Sequence, residues 1–234
     1  MRGLLVTGTD TGVGKTVVSA ALLAAMAAAG ERVRAHKPVL TGLDDAAPSG
    51  WPPDHELLAS VTGMCAEEIA PLRYAPAASP QLAAALCGER IDPAHLLASV
   101  PADPGRTIIV EGVGGLLTPF ADGYGVRELA ASLGLPLVVA ARPGLGTINH
   151  TLLTLEAAKA AGLQVRAVVL TPWPERPSAL ELSNRETIAR TAGVAVAELA
   201  RVMAPQPDAL ARAGARLPWR KWLAASAPPQ PAAA

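Results

Sequence analysis

The stretch Leu4-Leu5-Val6-Thr7-Gly8-Thr9-Asp10-Thr11-Gly12-Val13-Gly14-Lys15-Thr16 decides how the rest of the chain is read. A short apolar run opens it, glycines alternate with hydroxyl residues through it, and Gly14-Lys15-Thr16 closes it just before an alanine-rich segment. A strand, a glycine loop and a helix in that order let backbone N–H groups turn inward around anionic oxygens, while the helix N-terminus adds the positive end of its dipole. The loop therefore reads as a phosphate cradle, with Gly12, Val13 and Gly14 in its wall. Lys15 is placed to reach the β- and γ-phosphates of a nucleoside triphosphate, and Thr16 to offer a hydroxyl to Mg²⁺ beside them. The spacing is a variant one, because the place six residues before the lysine holds Thr9 and the first glycine is Gly8.

Outward from this loop, short β-branched or leucine-rich runs alternate with longer alanine-rich segments. That alternation predicts an α/β fold, a P-loop NTPase-like parallel β-sheet with helices on both faces. Strands are expected at Leu4–Thr7, Arg32–His36, Thr107–Glu111, Leu137–Ala141 and Ala167–Thr171, and helices at Lys15–Ala29, Asp54–Thr62, Ser79–Cys87, Ile148–Ala161 and Ser178–Ala192. Asp44–Pro53, with three prolines, reads as a mobile loop, and Ala224–Ala234 as a disordered tail after a single domain over residues 1–223.

The 234 residues carry 20 basic and 20 acidic side chains, so no net field favours nucleic acid or an anionic membrane, and small molecules are the expected partners. The longest apolar stretch, Val17–Ala29, is interrupted by Ser19 and falls short of the roughly 20 residues that span a bilayer. The N-terminus has no signal-peptide pattern, which points to the cytoplasm. Cys65 and Cys87 show no metal-ligand or redox spacing and read as reduced thiols in packing roles.

Three further residues fall where such a sheet binds ligands. Glu111 ends an apolar strand and precedes Gly112-Val113-Gly114-Gly115, which puts its carboxylate at a strand's carboxyl end, able to hold Mg²⁺. Lys37 ends the second strand before Pro38 and would join Lys15 in neutralising charge on a transferring phosphoryl group. Asp54 opens a helix, where N-capping is the ordinary explanation and a role in the site is as open a reading from position alone. Gly144-Leu145-Gly146-Thr147-Ile148-Asn149-His150 precedes another helix; its free N–H groups with Thr147 and Asn149 suit a carboxylate, a plain capped helix start is an equal alternative, and His150 reads as structural rather than as a base.

Taken together, Thr7-Gly8-Thr9-Asp10-Thr11, Val13-Gly14-Lys15-Thr16, Lys37-Pro38-Val39 with Thr41-Gly42, Glu111-Gly112-Val113-Gly114-Gly115 and Ile148-Asn149-His150 resemble the dethiobiotin synthetases, over Val6 to about Ala161. The resemblance implies a ligase of biotin biosynthesis that turns 7,8-diaminopelargonate, CO₂ and MgATP into dethiobiotin, ADP and phosphate. It implies phosphate and carbamate contacts at Thr11 and Lys15, an Mg²⁺ shell of Thr16, Asp54 and Glu111, and Lys37 on the carbamate and γ-phosphate. It also implies a substrate pocket with Thr41 (where serine is usual), Ser79, Pro80, Gly114 and Gly115. A homodimer is implied, in which the helix start Gly146–Asn149 receives the substrate carboxylate across the interface. Where the family usually reads adenine with an asparagine, this chain has Leu170-Thr171-Pro172-Trp173, so Thr171 and Trp173 are expected to leave room for nucleoside triphosphates other than ATP.

Two rival readings are a partitioning-type ATPase and a cobyrinate amidating ligase. The first lacks its extra loop lysine, since Asp10 stands there, and the second lacks a glutaminase domain.

Overall fold

The computed structural model describes residues 1–44 and 50–224. The expected mobility at Asp44–Pro53 falls in part, at residues 45–49, and the expected tail almost wholly, outside the described residues. In chain order the elements begin β1 (Gly3–Gly8), α1 (Lys15–Ala28), β2 (Val33–His36), β3 (Val39–Thr41), α2 (Asp54–Thr62), α3 (Ala66–Ile69), β4 (Leu72–Tyr74), α4 (Pro80–Leu86) and α5 (Pro93–Ala98). They continue with β5 (Thr107–Glu111), β6 (Pro119–Ala121), β7 (Tyr124–Gly125), α6 (Val126–Leu133), β8 (Leu137–Ala141), α7 (Thr147–Ala160) and β9 (Val165–Trp173). The last are α8 (Ala179–Ala192), β10 (Ala195–Ala200), α9 (Pro207–Gly214) and α10 (Trp219–Ala224).

Six strands form one sheet in the order β10-β9-β8-β1-β5-β2, every neighbouring pair parallel. Every residue of β1 is buried, as a central parallel strand covered on both faces requires. Side chains alternate across the sheet: Leu4 and Val6 join the core beneath α1, α2 and α9, whereas Leu5 joins the core beneath α4, α5 and α6. A third cluster, including Val139, Ala141, Val168 and Leu170, packs against Leu155 of α7 and Ile188 of α8. The expected architecture is the one found.

The C-terminal third adds elements that the sequence reading left blank. β10 is an edge strand with only Leu199 fully covered, so it lacks the continuous apolar run that marks the inner strands. Helix α9 crosses α1 so closely that a Cβ on Gly214 would stand 1.9 Å from the Ala21 carbonyl oxygen. The small alanines of α1 permit that approach. Cys65 and Cys87 are both exposed, which corrects their expected packing roles. No helix among the described residues is long and apolar enough to cross a membrane.

Candidate active site

Parallel register brings the polar residues together. β1 pairs with β5 so that Val6 stands opposite Glu111, and β2 pairs with β5 so that His36 stands opposite Val110. One step beyond each pairing, the phosphate loop, Lys37 and Glu111 emerge at the carboxyl edge of the sheet. The loop is tied to its neighbours by Thr9 N–H to the Ala140 carbonyl at 3.0 Å, and Gly112 N–H to the Val6 carbonyl at 2.9 Å. Gly12 (φ 68°) and Gly14 (φ 92°) adopt left-handed backbone that other residues reach only with strain.

Around the loop lies a cleft of about 310 Å³ whose walls include Thr11, Gly12, Gly14, Lys15, Thr16, Lys37, Thr41, Asp54 and Gly114. Lys15 is 7% exposed, and its Nζ donates to the Asp10 carbonyl at 3.0 Å. Burial and then the neighbouring Lys37 ammonium lower its pKa to about 8. Lys37 is buried as well and donates to Glu111 Oε1 at 2.6 Å and Asp54 Oδ2 at 2.9 Å. Burial alone would lower its pKa, but the two carboxylates outweigh that cost and hold it above the usual lysine range. Asp54 is shifted down for the same reason: its own burial acts upward and the Lys37 charge overrides it. Asp54 is the first residue of α2, its N-cap being Pro53 without a side-chain bond, so the carboxylate serves the cleft and not a cap.

Glu111 is 1% exposed, accepts from Thr16 Oγ1 at 2.8 Å as well as from Lys37, and has a second oxygen, Oε2, buried without a partner. A buried carboxylate oxygen left unpaired is costly and invites a cation. Two carboxylates and a hydroxyl beside a phosphate cradle fit Mg²⁺, which takes few protein oxygens and completes its octahedron with water and phosphate. Among the described residues no group of three or more His, Cys, Asp or Glu gathers for a metal, so a histidine- or thiolate-rich centre is absent there.

Other expected site residues lie apart. Val13 is buried beneath the loop. Gly115 lines a second cleft of about 400 Å³ with Thr9 and His150, the latter exposed on α7. Ser79 and Pro80 stand at the start of α4, and Thr147 and Asn149 at the start of α7, none of them on the first cleft's wall. Thr171 is buried at the end of β9, its methyl 2.9 Å from where a Cβ on Gly14 would be. Trp173 packs on the cluster of β8, β9 and α8.

Three features went unread in the sequence. Trp51 lines the first cleft from the proline-rich loop, an aromatic beside Pro52-Pro53 just before Asp54 being the available signal. Arg142 donates to the Thr11 and Gly12 carbonyls at 3.4 and 3.3 Å. Asn184, on α8, donates to the loop between β8 and α7; nothing local marks either of these two.

The sheet order, the loop and the lysine–carboxylate cluster define a P-loop nucleotide-binding protein, and a family model described as an AAA domain matches residues 2–206. The chain is 43% identical over 201 residues to the ATP-dependent dethiobiotin synthetase BioD of Mycobacterium avium (strain 104), covering 83% of this chain and 85% of that one. Proteins of the same name from Mycobacterium sp. (strain KMS) and Anaeromyxobacter sp. (strain K) are 40% and 41% identical, covering 96% and 94% of this chain and 99% and 91% of theirs. The chain belongs to the ATP-dependent dethiobiotin synthetase family, ligases that form carbon–nitrogen bonds.

Proposed function

We propose that this protein closes the ureido ring of dethiobiotin from 7,8-diaminopelargonate, CO₂ and ATP, releasing ADP and phosphate. The observation that supports it most is buried Lys37 held between Asp54 and Glu111 beside the phosphate loop, a charge cluster suited to phosphoryl transfer. In this reading one substrate amine takes up CO₂ as a carbamate and loses a proton. A carbamate oxygen then attacks the γ-phosphorus, breaking its bond to the ADP oxygen, and the second amine attacks the carbamoyl carbon and expels phosphate. No protein nucleophile is required. The site acts by orienting reactants and by balancing the charge that builds on the phosphoryl oxygens.

Within that scheme Gly12, Val13 and Gly14 cradle the phosphates, Lys15 and Lys37 offset the developing charge, and Thr11 and Thr41 hold the carbamate with their hydroxyls. Thr16, Asp54 and Glu111 would hold Mg²⁺, which supplies charge neutralisation and phosphate orientation when bound. Gly114 and Gly115 leave room for the diamine, and Ser79-Pro80 would border its pocket. Thr147 and Asn149, at the start of α7 on a second copy of the chain, would receive its carboxylate. Thr171 and Trp173 would face the base side of the nucleotide site. A phosphate-release assay tests the scheme: release should need Mg²⁺, bicarbonate and the diamine together, and equal turnover without the diamine would overturn it.

A further inference from the structure

Asn184 is 5% exposed on α8, and its side-chain amide Nδ2 donates to two backbone carbonyls at once, Pro143 at 2.9 Å and Gly144 at 3.0 Å. Both belong to the loop that joins β8 to α7. In a trans peptide the carbonyl and the N–H of one unit point in opposite directions. Drawing the two carbonyls toward α8 therefore turns the N–H groups of Gly144 and Leu145 away from it. Neither these two nor the Gly146 N–H meets an acceptor among the described residues. Thr147 then opens α7 with a hydroxyl that is buried and unpartnered; its own N–H donates to the Gly144 carbonyl at 3.3 Å, and the N–H groups of Ile148 and Asn149 behind it are the ones the first turn of a helix leaves free. The packing of α8 on the sheet is supplied by Ile188, which is fully buried one turn further along. An apolar residue at 184 would serve that packing equally, so the amide's distinguishing contribution is its hold on the loop.

We infer that Asn184 is a positioning residue for carboxylate recognition, fixing the loop so that its outward N–H groups and the start of α7 present one anion-binding surface to the acid end of the substrate. This rests on the reading of the α7 start as the carboxylate site. Asn184 itself meets only the carbonyl side of the loop and touches no reacting atom.

The test uses the full-length enzyme, the diamine acid, and a diamine of the same chain length without the carboxylate. Asn184→Ala should raise KM for the acid at least about tenfold while kcat stays within about threefold, because binding remote from the reacting amines is largely uniform. Nucleotide Kd by calorimetry should not change. Asn184→Asp should be worse than Asn184→Ala, since it sets a carboxylate against two carbonyl oxygens. The analogue without a carboxylate should be handled alike by wild type and variants. Loss of kcat, nucleotide affinity and analogue turnover in parallel would mark a purely structural role and overturn the inference. Should Asn184→Ala not fold, Asn184→Ser keeps one donor and should show an intermediate rise in KM, an unchanged KM again counting against the inference. Asn149→Ala is measured alongside. If it raises KM and Asn184→Ala does not, the positioning role alone falls. If neither variant changes KM and the wild type does not prefer the acid, the carboxylate reading of α7 falls with it.

Discussion

The ammonium of Lys37 stands between the two carboxylates that would hold a metal, 2.6 Å from Glu111 and 2.9 Å from Asp54. A divalent cation would draw on the same two carboxylates as this ammonium, and the two positive charges repel. Lys37→Met should therefore bind Mn²⁺, used as a spectroscopic stand-in for Mg²⁺, at least about tenfold more tightly than wild type without nucleotide, a factor worth 1.4 kcal/mol. The same variant should lose ring closure by at least about 10²-fold. Equal Mn²⁺ affinity by electron paramagnetic resonance would show that Lys37 does not shield the site. Next to it, His36 is 1% exposed, with Nε2 3.2 Å from Ser99 Oγ and Nδ1 unpartnered. Burial, then the Arg34 charge, lowers its pKa from 6.5 to about 4. Between those values the unfolded chain binds more protons than the folded one, so the stability tied to neutral His36 is present above pH 6.5 and lost as the pH falls toward 4. The loss is on the order of 3 kcal/mol. His36→Gln should lose less melting temperature between those pH values than wild type in differential scanning calorimetry; an equal loss would remove His36 as the cause.

At the scale of single elements, the end of β9 bears on the choice of nucleotide. Reading a base edge takes a group with paired donors and acceptors, a good two-point contact being worth about 1–3 kcal/mol. Thr171 is buried against Gly14 and Pro172 has no N–H, while Trp173 packs on the cluster of β8, β9 and α8 and carries no amide that could pair with a base edge. ATP should support ring closure, and at least one of CTP, UTP and GTP should come within about tenfold of it in kcat/KM. A four-nucleotide comparison at saturating diamine and bicarbonate measures this. An ATP lead of more than about a hundredfold would mean that another element, such as the segment after β10, reads adenine.

For the molecule as a whole, the relevant surface is the one around the second cleft. Leu117 and Leu153 line it, each 61% exposed, and Leu145 at the loop before α7 is 90% exposed. Apolar side chains so placed at one face suit burial against a second copy of the chain. Sedimentation at assay concentration should give a homodimer. Leu153→Asp should weaken it and raise the diamine KM, because the α7 start would then no longer complete a neighbouring pocket. A fully active monomer would remove the assignment of Thr147 and Asn149.

While the short helices α3, α5 and α6 went unread, the amino-acid sequence alone determined the phosphate loop, five of the six strands of the main sheet and the longer helices α1, α2, α4, α7 and α8. Each of these is local: left-handed glycines at 12 and 14, continuous apolar runs such as Leu137–Ala141, and the Ser178–Glu181 capping box that starts α8. Lys15, Thr16, Lys37 and Glu111 were legible because they sit at fixed offsets from those signals. What only the tertiary structure decided is who meets whom. Lys37 and Glu111 are 74 residues apart and touch because β2 and β5 pair with His36 opposite Val110, a register that no local pattern specifies. Asp54, too, lies inside α2 and pairs with Lys37 where the sequence left a cap open. The edge strand β10, the α9 crossing at Gly214 and the hold of Asn184 on the loop 40 residues before it were hidden for the same reason. Each depends on packing between segments distant in sequence, and an edge strand or a lone buried amide leaves no periodic trace in the chain.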